Sequence, residues 1–331
     1  MSGSAFAVTH HAFSSGAGRT SDGNGSHAST LKSPSYTKSV SWQHYPIDSP
    51  DDEKAFYWLK LAAEQGHCEA QYSLGQKYTE DKSRHKDNEQ AIFWLKKAAL
   101  QGHTFASNAL GWTLDRGEAP NYKEAVVWYQ IAAESGMSYA QNNLGWMYRN
   151  GNGVAKDYAL AFFWYKQAAL QGHSDAQNNL ADLYEDGKGV AQNKTLAAFW
   201  YLKSAQQGNR HAQFQIAWDY NAGEGVDQDY KQAMYWYLKA AAQESVGAYV
   251  NIGYMYKHGQ GVEKDYQAAF EWFTKAAECN DATAWYNLAI MYHYGEGRPV
   301  DLRQALDLYR KVQSSGTRDV SQEIRETEDL L

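Results

Sequence analysis

Residues Ala140 to His173, AQNNLGWMYRNGNGVAKDYALAFFWYKQAALQGH, carry two helical faces separated by a glycine turn. Ala140, Leu144, Gly145 and Tyr148 fall at i, i+4, i+5 and i+8, and Ala161, Trp164, Tyr165, Ala168 and Ala169 at i, i+3, i+4, i+7 and i+8. Both spacings gather small and apolar residues on one side of a helix. Between them lies Gly151-Asn152-Gly153-Val154, whose glycines suit the left-handed backbone that ends a helix, and then Asp157, a good N-cap for the next. The unit reads as helix A, tight turn, helix B.

One register carries this unit along the chain. The Ala that opens helix A recurs at Ala70, Ala106, Ala140, Ala176, Ala212, Ala248 and Ala284, at intervals of 36, 34, 36, 36, 36 and 36 residues. The Trp of helix B keeps the same beat at Trp58, Trp94, Trp128, Trp164, Trp200, Trp236 and Trp272. A fixed period with two helices per period predicts an all-α solenoid of about seven repeats of 36 residues, in which each unit buries a face against the next. A chain of 331 residues would ordinarily suggest two domains. The repeat instead predicts a single solenoid over residues 49–331, with a polar capping helix from about residue 317 marked by Val320 and Ile324. Residues 1–48, rich in Ser and Gly and without helical periodicity, are expected to be disordered.

Composition excludes several classes. No basic start followed by an apolar run marks a secretory signal, and no stretch nears the roughly 18 apolar residues a membrane span needs, so a cytoplasmic protein without membrane insertion is expected. The net charge of −7 is modest and no Lys/Arg block occurs, which argues against nucleic acid or anionic lipid as the main partner. Cys68 and Cys279 lie in the first and last full repeats, too far apart to be bridged. The 12 Trp and 25 Tyr sit mostly at repeat positions, so their abundance alone signals packing rather than ligand stacking.

In chain order, the array opens on a B-type helix at residues 51–60 that lacks a preceding A helix; Trp42, Tyr45 and Ile47 are the nearby apolar candidates to cover it. The turn Asp81–Lys86 replaces glycines and is expected to be the most mobile, and the turn Arg116–Pro120 is two residues shorter than the others. Five later turns read Gly-x-Gly, at Gly151, Gly187, Gly223, Gly259 and Gly295. Each follows a helix, whereas a dinucleotide cradle requires a strand first, so they are helix ends and no cofactor is implied. Mid-helix, Gly75, Gly111, Gly145 and Gly253 alternate only with Ala181, Ala217 and Ala289, which predicts a notch across which the Trp of helix B packs.

The pattern AxxxLGxxY, GxGVxxD, AxxWYxKAAxQG resembles the Sel-one-like repeat (SLR), a subclass of the tetratricopeptide-like helical repeats, over about 280 of 331 residues. The resemblance implies a right-handed superhelix whose A helices line a concave face, and a role as adaptor or scaffold in protein complexes. Bacterial members are often linked to signalling, envelope or host-contact functions. A secreted branch with a cysteine pair in every repeat is associated with β-lactam binding; this chain lacks those pairs, and that activity is not carried over.

No catalytic or metal constellation stands out. His67, His103 and His173 occupy one repeat position after Gln-Gly or Glu-Gln-Gly and read as partners of the helix B carboxyl end. Neither HxxxH nor CxxC spacing occurs. Asp87, Asn121, Asp157, Asn193, Asp229, Asp265 and Asp301 share another position and read as N-caps, Asn121 forming a capping box with Glu124.

The functional signal lies in a variable stripe on helix A. One place on it holds Gln76, Trp112, Trp146, Asp182, Trp218, Tyr254 and Ile290; another holds Tyr72, Asn108, Asn142, Asn178, Phe214, Val250 and Tyr286. By resemblance the stripe faces the concave groove, where Trp and Tyr would anchor a peptide and side-chain amides would pair with its backbone. The alternative is that these rings fold sideways and fill gaps between A helices. The expected partner-binding residues are Asn108, Trp112, Asn142, Trp146, Asn178, Asp182, Phe214, Trp218, Tyr254 and Tyr286. A non-enzymatic scaffold that binds a protein or peptide is the reading carried forward. A receptor for a small molecule or cell-wall fragment in the same groove is its alternative.

Overall fold

A computed structural model describes residues 50–80, 85–117 and 119–331, which contain 16 helices and, among the described residues, no strand. The expectations for residues 1–48, the cover of the first helix, and the turn residues 81–84 and 118 lie outside the described residues. Seven A helices are α2 (Cys68–Thr79), α4 (Thr104–Arg116), α6 (Ser138–Asn150), α8 (Ser174–Asp186), α10 (Arg210–Ala222), α12 (Val246–His258) and α14 (Ala282–Tyr294). The B helices are α1 (Pro50–Glu64), α3 (Asn88–Leu100), α5 (Tyr122–Glu134), α7 (Tyr158–Leu170), α9 (Lys194–Gln206), α11 (Tyr230–Ala241), α13 (Tyr266–Glu278) and α15 (Leu302–Ser315), and α16 (Ser321–Asp329) follows. Each B helix from α3 to α13 packs against the A helix before it and the one after it, while α1 packs on α2 and α15 on α14 and α16, so the core runs on from repeat to repeat as an all-α solenoid.

The local chemistry that ends and starts each helix is repeated with the register. The side chains of Asp87, Asn121, Asp157, Asn193, Asp229, Asp265 and Asp301 accept from backbone N–H groups in the first turn of their B helices. Their own N–H groups donate back to helix A: Asp157 to the Tyr148 carbonyl at 2.9 Å, Asn193 to Tyr184 and Asp229 to Tyr220 in the same way. The shortened turn before Asn121 keeps this closure, through Asn121 to Leu114. Glu124 does not complete the capping box through the backbone; its carboxylate accepts from the Asn121 side-chain amide at 3.2 Å. In the Gly-x-Gly turns the first glycine is the left-handed helix end, as with Gly151 at φ 77°. The second meets the preceding repeat's B helix: a Cβ on Gly153 would run into the Tyr122 backbone at the start of α5, and Gly189 stands likewise over Tyr158. That glycine lets one repeat stack on the last.

Two expectations are corrected. The notch on helix A is filled by the residue after the Trp. A Cβ on Gly111 or Gly145 would lie 2.8 Å from the ring of Tyr129 or Tyr165, and on Gly253 2.8 Å from Phe273. These rings are fully buried, whereas Trp164, Trp200 and Trp272 are only half-buried and Trp58, on the first helix, is exposed. Adjacent residues point about 100° apart on a helix, and it is the tyrosine that points at the notch. The histidines, for their part, cap the following A helix rather than the preceding B helix. His103 Nδ1 accepts from the Ala106 N–H at 3.1 Å and His173 Nδ1 from Ala176 at 3.3 Å, the work done at the same place by Asn209 and Asp281. His67 makes no such side-chain bond.

A glutamine ladder joins the repeats, buried at Gln71, Gln141, Gln177 and Gln213 and exposed at their partners. The amide of Gln141 donates to the Ala133 carbonyl at 3.1 Å and its oxygen accepts from Gln171 of the next B helix at 2.7 Å. Gln71 with Gln101, Gln177 with Gln207 and Gln213 with Gln243 repeat the arrangement. A burial of amides with their hydrogen bonds met is a strong constraint on spacing between units.

Candidate functional site

The variable stripe of helix A divides into three layers of different character. Trp112, Trp146, Trp218 and Tyr254 form the outer layer and keep 42–45% of their surface exposed. More than half of each ring's surface is covered, in part by side chains of its own helix. The Arg116 guanidinium lies over the Trp112 ring at 5.2 Å, and His258 stacks on Tyr254 with ring centres 5.0 Å apart.

Beneath them, polar side chains bridge one A helix to the next. Asn108 accepts from Asn143 at 3.2 Å and Asn142 from Asn179 at 3.0 Å. Asn178 is buried, and its oxygen meets the His211 ring at 3.0 Å. Asp182 has both oxygens engaged, Oδ2 by Arg149 at 3.0 Å and Oδ1 by the Tyr201 hydroxyl at 2.9 Å. These four residues of the expected stripe therefore tie repeats together, and their carboxylate and amide oxygens are committed inside the chain. Burial and the Asp182 charge push the pKa of the Tyr201 phenol well above its ordinary value, so it stays a donor to that carboxylate.

Phe214 and Tyr286 are occupied in other ways. Phe214 packs on the Tyr237 ring at 5.7 Å and closes over Gly247, where a Cβ would meet it at 2.9 Å. Tyr286 lies under the Arg318 guanidinium at 3.7 Å, and its hydroxyl donates to Glu323 of α16 at 3.3 Å. The terminal helix thus covers the last position of the stripe.

Two shallow depressions border this face. One of about 250 Å³ lies between α2 and α4, lined by Tyr72, Gln76, Phe105, Asn108, Trp112 and Met137. The other, about 340 Å³, is lined by Tyr139, His173, Asp175 and Gln207 at the amino ends of α6 and α8. Burial, opposed by the Asp175 charge, holds the His173 imidazole below its usual pKa, which suits a ring whose Nδ1 must accept from a backbone N–H. No group of three or more His, Cys, Asp or Glu side chains converges as a metal site among the described residues. No helix there is long and apolar enough to cross a membrane.

Sequence reasoning missed one buried acid. Asp219, at the place held by Met147, Leu183, Met255 and Met291 in other copies, is 4% exposed, and its Oδ2 has no hydrogen-bond partner. Burial first, then the charges of Glu185 and Glu224, push its pKa up to about 8 against the pull of Lys194. The signal was legible as a carboxylate in a Leu/Met column.

Comparison with known proteins places these features. The family model described as Sel1 repeat matches eight consecutive segments, residues 47–67, 68–103, 104–137, 138–173, 174–209, 210–245, 246–281 and 282–311. Its boundaries follow the A helices, including the 34-residue unit. A protective antigen of uropathogenic Escherichia coli that displays an SLR fold is similar at 36% identity over 79% of this chain, with a TM-score of 0.74. The match spans 56% of that protein's length. A Sel1 repeat protein from Oxalobacter formigenes is similar at 32% identity, covering 65% of this chain and 86% of its own, with a TM-score of 0.60. With repeat register, caps, turns and family model in agreement, the chain belongs to the Sel1 repeat family.

Proposed function

We propose that this chain is a non-catalytic scaffold that holds a protein or peptide in the groove formed by its A helices. The observation that carries the reading is the row of Trp112, Trp146, Trp218 and Tyr254, four rings at one repeat position that stay 42–45% exposed. Large aromatic rings on a rigid support are the side chains from which interface hot spots are most often built. The bridges under them, from Asn108–Asn143 to Asp182–Arg149, supply that rigidity, so a partner would meet a surface already organised. The same layer takes the amide oxygens out of use, which leaves aromatic contact as the main source of affinity.

The receptor reading rests on the 250 Å³ depression beside Trp112, whose lining of Tyr72 and Phe105 fits one small aromatic or sugar-like fragment. Thermal-shift screening against peptidoglycan fragments separates the two readings. Affinity capture from native cells followed by Trp112→Ala, Trp146→Ala and Trp218→Ala tests the scaffold. Each change is expected to weaken a captured partner by at least about 2 kcal/mol while leaving the melting temperature unchanged. Loss of stability with unaltered binding per folded molecule overturns the reading.

A further inference from the structure

The B helices carry a second aromatic row on the side away from the A helices. The residue before the Trp is Phe93, Val127, Phe163, Phe199 and Tyr235 in the B helices α3 to α11, and these four rings are 47–49% exposed; Tyr57 holds the place in α1. The fold does not call for them: Glu271 and Asp307 take the same place, exposed, in the last two B helices. Nor does packing on the neighbouring indole explain them. Phe163 and Phe199 do lie edge-on to Trp164 and Trp200 at 4.9 and 5.1 Å, yet Val127 stands beside Trp128 without a ring.

Around the row the outward surface is apolar and basic. On α7, Leu160, Phe163 and Leu170 all point outward, and Lys166 is the helix's single charge. A helix apolar on all sides is ordinarily covered on all sides. Leu196 and Phe199 extend the patch on α9, and Tyr235 and Leu238 on α11. Together α7, α9 and α11 contain Lys166, Lys194, Lys203, Lys231 and Lys239 and no Asp or Glu. Lys194 is held by Glu224 and Glu185, while the other four make no ion pair among the described residues. Lys203 and Lys239 rest over the Phe199 and Tyr235 rings at 5.7 and 5.6 Å, ammonium beside apolar ring. The A helix between α7 and α9 has the reverse charge: α8 carries Asp175, Asp182, Glu185 and Asp186 and no Lys or Arg.

We propose that the outward face of α7, α9 and α11 docks on an anionic phospholipid surface, with Phe163, Phe199 and Tyr235 entering the headgroup region and Lys203 and Lys239 meeting the lipid phosphates. Charge complementarity selects this side of the molecule, since the acidic α8 would be repelled. The shape selects a bilayer over a peptide. The apolar residues lie exposed on three successive B helices rather than in a cleft, and neither surface depression described above is lined by these rings. Half-buried rings flanked by long basic side chains are the arrangement by which peripheral segments sit at a membrane interface. The sequence hides the patch because its lysines are separated by 36 residues, as Lys203 and Lys239 are, and form no block.

Co-sedimentation of the full chain with vesicles tests this. Vesicles of phosphatidylcholine with about a third phosphatidylserine are expected to bind at least tenfold more tightly than phosphatidylcholine alone, and binding is expected to weaken as salt rises. The triple change Phe163→Gln, Phe199→Gln, Tyr235→Gln, and separately the pair Lys203→Glu, Lys239→Glu, should each lower binding at least tenfold with an unchanged helical circular dichroism spectrum. The exposed lysine pair keeps the test sharp if the triple variant folds poorly. Trp146→Ala, on the A-helix face, should leave vesicle binding intact and so separates this proposal from the scaffold reading. Failure of the wild-type chain to bind anionic vesicles overturns the proposal. So does a change from dimer to monomer in the triple variant by sedimentation equilibrium, since the face would then belong to a second copy. Vesicle binding unaffected by both variants also overturns it.

Discussion

Tyr165 lies against Gly145 so closely that a Cβ on the glycine would stand 2.8 Å from its ring carbons. The ring is fully buried, in the close-packed interior where small volume changes are felt. Alanine would raise helix propensity at this mid-helix place by about 1 kcal/mol. The clash opposes that gain and is larger, since forcing one carbon into a packed core typically costs about 1–3 kcal/mol. Gly145→Ala is therefore expected to destabilise the protein by roughly 1–2 kcal/mol in urea unfolding. A stabilised variant would mean that α6 and α7 can shift to admit the methyl group, as alanine is admitted at Ala181 one repeat later.

The Asp219 carboxyl, buried between Glu185 and Glu224, should make stability depend on pH in a direction opposite to that of a salt-bridged acid. In the unfolded chain it ionises near its ordinary value of 3.8, whereas the folded protein keeps the proton until about pH 8. Its contribution is thus fully present below about pH 4 and is lost as pH rises toward 8. Asp219→Leu, which restores the residue type of Leu183, is expected to raise stability by about 1–3 kcal/mol at pH 8 and by much less at pH 5. Urea midpoints of the two forms across that range check it. A gap that stays constant with pH would show that the carboxyl titrates normally.

How far the fold could be read from the sequence follows from what repeats. Caps such as Asp157 and turns such as Gly151–Gly153 recur with the register, and each is a local choice that needs no knowledge of the neighbour. The errors arose where two adjacent residues compete for one direction. Trp164 and Tyr165 are both aromatic, and only packing decides which of them fills the Gly145 notch. In the stripe, Trp112, Trp146, Trp218 and Tyr254 were legible as exposed rings, but the engagement of Asn178 by His211, or of Asp182 by Arg149, depends on a residue some 33 positions away. The basic face of α7, α9 and α11 was invisible for a similar reason: charge was sought in runs along the chain, and the helices gather it across repeats.

Glu244 occupies the left-handed helix end filled by Gly66, Gly102, Gly136, Gly172, Gly208 and Gly316 elsewhere, and it adopts that backbone at φ 61°. Asn280, at φ 62°, is the other such non-glycine among the described residues, and asparagine tolerates the conformation far better than glutamate. The N–H of Glu244 still donates to the Ala241 carbonyl at 3.0 Å, so the turn is formed in full and the residue bears the backbone strain. Its side chain is exposed, which means that nothing is lost from the core when it is removed. A carboxylate at the negative end of α11 adds a small unfavourable charge interaction. Against these gains stands the greater freedom glycine gives the unfolded chain. Together they predict that Glu244→Gly stabilises the protein by about 0.5–1.5 kcal/mol. Equilibrium urea unfolding of both forms, fitted where the transition is a single step, provides the measurement. An unchanged or lowered midpoint would show that the unfolded-state entropy outweighs the strain at this junction, and that asparagine, the residue at the equivalent Asn280, is a better replacement than glycine.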